Sequence, residues 1–166
     1  MMTRLLLSIA VLLGTVLSGG KVPSEADLLG QWGYCSNSYV FMEAEGPTPD
    51  KKLVDSHLTD MGATKSNLVL TFSEGHKGNL RLGEKDIDFD WTINPATKEF
   101  KVTVALFTIK GYLVKDGGKL SLVYKRSDLF MMMRFLCTAA GRKHISPLGE
   151  LLDSTRGLTV AMEFSK

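Results

Sequence analysis

From Gly30 onward, apolar and polar residues alternate with period two in short runs broken by turn residues, and no other feature narrows the fold as far. Ile87, Phe89, Trp91 and Ile93 against Asp86, Asp88, Asp90 and Thr92 is the cleanest run. Successive side chains of a strand point to opposite faces, so such a run is a strand with one face in a core and one in water. Runs of the same kind cover 30–42 (Trp32, Tyr34 and Ser36 on one face), 67–73 (Leu68, Leu70, Phe72) and 79–82 (Leu80, Leu82). Others cover 100–109 (Phe100, Val102, Val104, Leu106), 112–115, 120–125 (Leu120, Leu122, Tyr124) and 158–166 (Leu158, Val160, Met162, Phe164). Glu74-Gly75-His76-Lys77-Gly78, Gly83-Glu84-Lys85, Asn94-Pro95-Ala96-Thr97-Lys98 and Asp116-Gly117-Gly118 separate them with turn chemistry.

Three segments change period. Over 50–61, Leu53, Val54, His57, Leu58 and Met61 recur at helical spacing behind an Asp50 N-cap and ahead of Gly62. Over 128–140, Leu129, Met132, Met133 and Leu136 do the same, ending at Gly141. Ser146-Pro147 opens a third helix, with Ser as cap and Pro at the first helical position. The expectation is therefore mainly β. Eight antiparallel strands in meander order close into a barrel, with one helix after strand 1 and a helical pair before strand 8. An eight-stranded barrel is wide enough to be filled by side chains or to hold one small ligand.

Residues 1–20 are set apart from this domain. Met1-Met2-Thr3-Arg4 is a short basic start, and the run 5–17 carries no charge. It is shorter than the ~20 apolar residues of a membrane span and has the length of a signal-peptide core. Val16-Leu17-Ser18-Gly19-Gly20-Lys21 offers cleavage after Ser18 or after Gly20. An uncleaved N-terminal anchor is the competing reading. No Cys follows the run before Cys35, so a lipid-accepting thiol is missing there. The expectation is one domain at 21–166, exported to the periplasm or beyond the cell, with no lipid anchor.

Two cysteines, Cys35 and Cys137, admit a disulfide in an oxidising compartment or two separate buried thiols. The net charge of +2 with scattered Lys and Arg leaves no basic footprint for nucleic acid. Chemistry is hard to find. Asp86, Asp88 and Asp90 spread along ~13 Å of strand at ~3.3 Å per residue, whereas calcium needs a compact set of six to eight oxygens. A solvated outer face accounts for them. His57, His76 and His144 have no ligand partner at metal spacing, and no nucleophile elbow, phosphate loop or zinc-helix motif occurs. No catalytic residue, metal ligand or cofactor site is expected, and the chain reads as a non-enzyme.

The opening Leu29-Gly30-x-Trp32 is similar to the Gly-x-Trp that begins lipocalin-like barrels. Leu70-Thr71-Phe72 with its Gly turn, Trp91-Thr92-Ile93-Asn94-Pro95-x-Thr97-Lys98, Gly111-Tyr112 leading to Leu120-Ser121-Leu122, and the closing Gly157-Leu158 follow in order, as do the inserted helix and the helical pair. On these motifs the chain resembles the lipocalin-like (calycin-like) domains of unknown function in exported proteins of gut Bacteroidales, over nearly all of 21–166. The resemblance implies a calycin-like barrel in the cell envelope. It implies no established activity and supplies no catalytic residues.

Two functional readings remain. Phe72, Phe89, Trp91, Leu122 and Tyr124 on the inner face, with Met132 and Met133 on the helix, would line a site for a small apolar ligand in the barrel or at its mouth. Alternatively the same residues fill the barrel, and the protein is an interaction or structural module with a protein partner that its sequence does not name.

Overall fold

The structure, a computed structural model, describes residues 20–41, 59, 63–125, 128, 131–132, 134–135 and 158–166. The strands are β1 (Gly30–Phe41), β2 (Leu68–Ser73), β3 (Lys77–Leu82), β4 (Lys85–Ile93), β5 (Glu99–Val104), β6 (Phe107–Asp116), β7 (Lys119–Lys125) and β8 (Leu158–Ser165). Each pairs antiparallel with the next, and β8 returns to β1, so the sheet is a closed barrel in meander order. Closure leaves the sheet no free edge.

The alternation seen in the sequence is the inside and outside of this barrel. Trp32, Leu70, Phe72, Leu80, Phe89, Trp91, Phe100, Leu122, Tyr124 and Phe164 are all buried. Phe72 is the hub, meeting Phe89, Trp91 and Phe100 edge-on with ring centroids 6.0, 5.5 and 6.0 Å away. Edge-to-face contacts place the positive rim of one ring on the negative face of another. The turn at Asn94 forms as its residues dictate: its side-chain oxygen accepts from the backbone N–H of Ala96 and Thr97 at 2.9 and 3.2 Å.

A four-residue helix, α1 (Glu25–Leu28), lies before β1 and has no periodic signature. Ser24 and Asp27 form a reciprocal capping box around its first turn. Leu28 is fully buried, and its carbonyl accepts the Trp32 indole N–H at 2.7 Å. Lys166 sits 4.8 Å above the Trp32 ring and donates to the Leu29 carbonyl at 3.0 Å. The two ends of the strand series are thus fastened over one tryptophan.

Three expectations are corrected. The run 100–109 is not one strand: β5 ends at Val104 and a two-residue turn, Ala105-Leu106, leads into β6 with Val104 opposite Phe107. Gly111, which falls between the expected runs 100–109 and 112–115, lies inside β6 and is buried. Ser36 is exposed rather than level with Trp32 and Tyr34, because the β1–β8 register shifts between Tyr34 and Ser36. The bulge leaves Cys35 without a partner residue in the ladder.

Other expectations meet the described residues only at points. Thr59, in the expected helix over 50–61, is helical, as are Asp128, Met131, Met132, Arg134 and Phe135 of the helix over 128–140. The helix from Ser146, the segment 1–19, Cys137, and the side chain of Met133 lie outside the described residues.

Candidate functional site

Among the described residues, the inward side chains Leu70, Phe72, Leu80, Phe89, Phe100, Val102, Leu122, Tyr124, Met132 and Phe135 wall a void of about 10 Å³. Five of the seven residues expected to line a ligand, Phe72, Phe89, Leu122, Tyr124 and Met132, do converge on one space. Trp91 is in the core but not on that space, its indole N–H held by the Lys77 carbonyl at 2.9 Å. An interior of several hundred Å³, the size of a small-molecule pocket, is not what these side chains enclose.

The larger apolar space is at the mouth. The β5–β6 hairpin and the helical residues of 128–135 frame a groove of about 420 Å³. β4 and β5 contribute Ile87 and Val104, the hairpin Ala105, Phe107 and Ile109, and the helical residues Met131, Arg134 and Phe135. Arg134 is the one charged side chain of the lining. Leu106 and Phe107 at the hairpin tip are 96% and 59% exposed, the large exposed hydrophobics of the described residues. Their turn is also unusual in backbone terms. Two-residue hairpin turns need positive φ and therefore favour Gly or Asn, yet Ala105 holds φ at 50°.

The strand and hairpin residues of the groove were not expected from the sequence, because the turn carries no Gly, Asn, Asp or Pro. The available signal was phase. A strand running through 100–109 puts Phe107 and Ile109 on the outer face with Lys101 and Thr103, whereas a turn at Ala105-Leu106 puts Ile109 on the inside. Ile109 is 2% exposed.

Tyr124 is the one polar side chain among the residues that wall the void. Its hydroxyl is buried with no hydrogen-bond partner. Burial first, and the negative charge of Asp128 second, push its ionisation far above the ordinary phenol range, so it is a neutral hydroxyl at any physiological pH.

The remaining polar features are surface structure. A second, more open depression of about 560 Å³ on the outer face is lined by residues that include Lys77, Asn79, Asp88 and Asp90. Lys77 meets Asp90 at 2.6 Å and Asn79 donates to Asp88 at 2.9 Å. His76 meets Glu25 at 2.6 Å and packs edge-on against Trp91 at 5.1 Å, tying the β2–β3 turn to α1. Among the described residues no group of three or more His, Cys, Asp or Glu is placed to hold a metal. Cys35 is a free, exposed thiol 3.2 Å from the Ser165 hydroxyl, so the bulge makes it a surface group rather than a core one.

The chain matches the family model of a lipocalin-like domain (DUF4923) over residues 15–166. No curated protein and no solved structure matches it.

Proposed function

The chain belongs to the lipocalin-like (DUF4923) domain family, and on that premise we propose a non-catalytic, exported binding protein that holds a small apolar molecule at the mouth of its barrel. The observation that carries this reading is the groove of about 420 Å³, apolar apart from Arg134 and lined in part by the exposed Phe107. Small-molecule sites are concave, a few hundred Å³ in size and mostly apolar, with few polar groups. The small void of about 10 Å³ among the inward side chains supports a site at the mouth over one inside. Export is supported by the basic start and uncharged run within 1–20. N-terminal sequencing of protein taken from the producing cell is expected to begin at Gly19 or Lys21, and a chain beginning at Met1 would overturn it.

Titration with the neutral fluorophore N-phenyl-1-naphthylamine tests the groove. The wild-type chain is expected to bind it, and Phe107→Ser to weaken binding by about tenfold, since fully burying an aromatic side chain is worth roughly 1.5–3 kcal/mol. Equal binding by both proteins, or none by either, would overturn the mouth site. A second reading, an interaction module, draws on Leu106, which is exposed at the tip yet not part of the groove lining. It predicts that Leu106→Ser changes association with other molecules and leaves fluorophore binding unchanged.

A further inference from the structure

We propose that the tip of the β5–β6 hairpin docks the protein on a lipid surface, with Leu106 and Phe107 entering the apolar layer and Lys101 and Lys110 meeting the headgroup phosphates. The inference rests on the interaction reading of Leu106 and gives it a partner. It stands apart from the groove's ligand, because Leu106 is not in the groove lining.

Leu106 is almost wholly exposed and Phe107 more than half so. One exposed apolar side chain is ordinary. Here two adjoin at a turn whose chemistry runs against them. Two-residue hairpin turns are built mainly from Gly, Asn and Asp, yet this one is Ala105-Leu106, with φ of Ala105 at 50°. A sequence that breaks a local rule is expected to do so at a functional position.

Behind the tip, the outer face of the same hairpin turns polar in steps. Thr103 and Thr108 pair across the strands with their hydroxyls 3.5 Å apart, and Lys101 and Lys110 pair next. Four positions separate Leu106 from Lys110. That is ~13 Å of strand at ~3.3 Å per residue, and ~10 Å along the axis of a barrel whose strands tilt by ~35–45°. A bilayer changes in the same order over the same depth. Surface-docked segments sink ~5–10 Å, and the polar interface beyond the hydrocarbon is ~5–7 Å thick on each side. The lysines then lie level with the phosphates, and their apolar stems let the ammonium groups reach them.

Acidic neighbours limit the depth of entry. Glu99 meets Lys101 at 3.0 Å and lies farther from the tip, while on β4 Asp88 accepts from Asn79 and Asp90 meets Lys77. Only the tip enters the apolar layer. A protein partner suits it less well. A specific interface covers roughly 800 Å² on each side, far more than two side chains at a turn provide, whereas a bilayer deforms around a small convex tip.

Co-sedimentation with sucrose-loaded vesicles tests this on the protein as recovered from its producing cell. Wild type is expected to bind vesicles of phosphatidylcholine and phosphatidylglycerol in equal parts more tightly than vesicles of phosphatidylcholine alone. Leu106→Ser should weaken both about tenfold, the order expected for withholding one leucine side chain from an apolar phase. Lys110→Gln should weaken binding about fivefold on the mixed vesicles, the contribution of one lysine near an anionic surface, and leave binding to phosphatidylcholine unchanged. The apolar run 5–17, where retained, is common to all these proteins, so their differences read the hairpin. Leu106→Trp reads insertion directly. Trp32 and Trp91 are buried, so a blue shift of emission on adding mixed vesicles, with quenching by brominated acyl chains, reports the substituted position. Equal vesicle binding by wild type and Leu106→Ser, or an unshifted Leu106→Trp spectrum, overturns lipid docking. Capture of a protein partner through Leu106 without vesicle binding does the same. Equal wild-type binding to the two vesicle compositions overturns the role of the lysines. Titration with N-phenyl-1-naphthylamine in the absence of vesicles reads the groove separately, so failure of one proposal leaves the other standing.

Discussion

Gly78 shows at the scale of one residue how the barrel closes around its aromatic hub. It pairs with Phe89 across β3–β4, and a Cβ placed on it would come 2.2 Å from the Phe89 ring. The ring occupies the space a side chain would take and from there reaches Phe72. In the sequence Gly78 closes a run of turn residues and reads as part of the turn. Its membership of β3 depends on a ring eleven positions away, which local pattern does not carry. Gly78→Ala is expected to cost about 1–3 kcal/mol, the range for overpacking a close-packed interior, measured as a lower urea midpoint with unchanged slope. Asp27 makes the opposite case, a residue whose role is local. The Ser24 hydroxyl and backbone N–H and then the Lys115 ammonium hold its carboxyl below the ordinary value of 3.8. A lowered value in the folded state means that the unfolded chain takes up the proton first as pH falls. The stabilisation is complete above the ordinary value and disappears as pH drops through the folded one. Thermal unfolding of wild type and Asp27→Asn should therefore differ at pH 6, converge as pH falls below about 4, and coincide once both states are protonated.

The β5–β6 hairpin is the element in which sequence pattern and structure part. Val102 and Val104 face inward on β5 and Ile109 on β6, so the inward set changes phase across Ala105-Leu106. Alternation alone is blind to a turn built from apolar residues, and Gly111 nearby is the wrong marker. It sits inside β6 because a Cβ there would press on the Val123 carbonyl and the Tyr124 ring. The other strands were legible because their turns contain Gly or Asn-Pro at positions that need them. α1 was not, since four residues are too few to show a period, although its Ser24 and Asp27 carry a capping box. At the hairpin tip, Ala105 holds φ at 50°, a conformation that costs a residue with a Cβ roughly 1–2 kcal/mol. Ala105→Gly is expected to raise stability by about 0.5–1 kcal/mol, because relief of that strain outweighs the added freedom of glycine in the unfolded chain. A thermal midpoint that rises by a few degrees would bear this out, and one that falls would show that the tip is not strained in the folded chain.

At the scale of the whole molecule, the eight-strand count, the antiparallel order and the apolar lining were legible, because each rests on local alternation plus turn chemistry. The filled interior was not. The same inward residues describe a hollow barrel and a solid one, and ring packing around Phe72 decides between them. Barrel closure itself joins residues far apart in the chain: Gly33 lies opposite Ser165 and Phe41 opposite Leu158. Pairings of such separation form late, and folds dominated by them fold in milliseconds to seconds rather than microseconds. Stopped-flow refolding followed by Trp32 and Trp91 fluorescence is expected to fall in that range. β1 has four paired positions with β2 and eight with β8, so most of the first strand's ladder belongs to the last strand. A ribosome adding 5–20 residues per second needs on the order of ten seconds to pass from one to the other. For that interval the newborn chain has its opening strand in hand and nothing to shut it with.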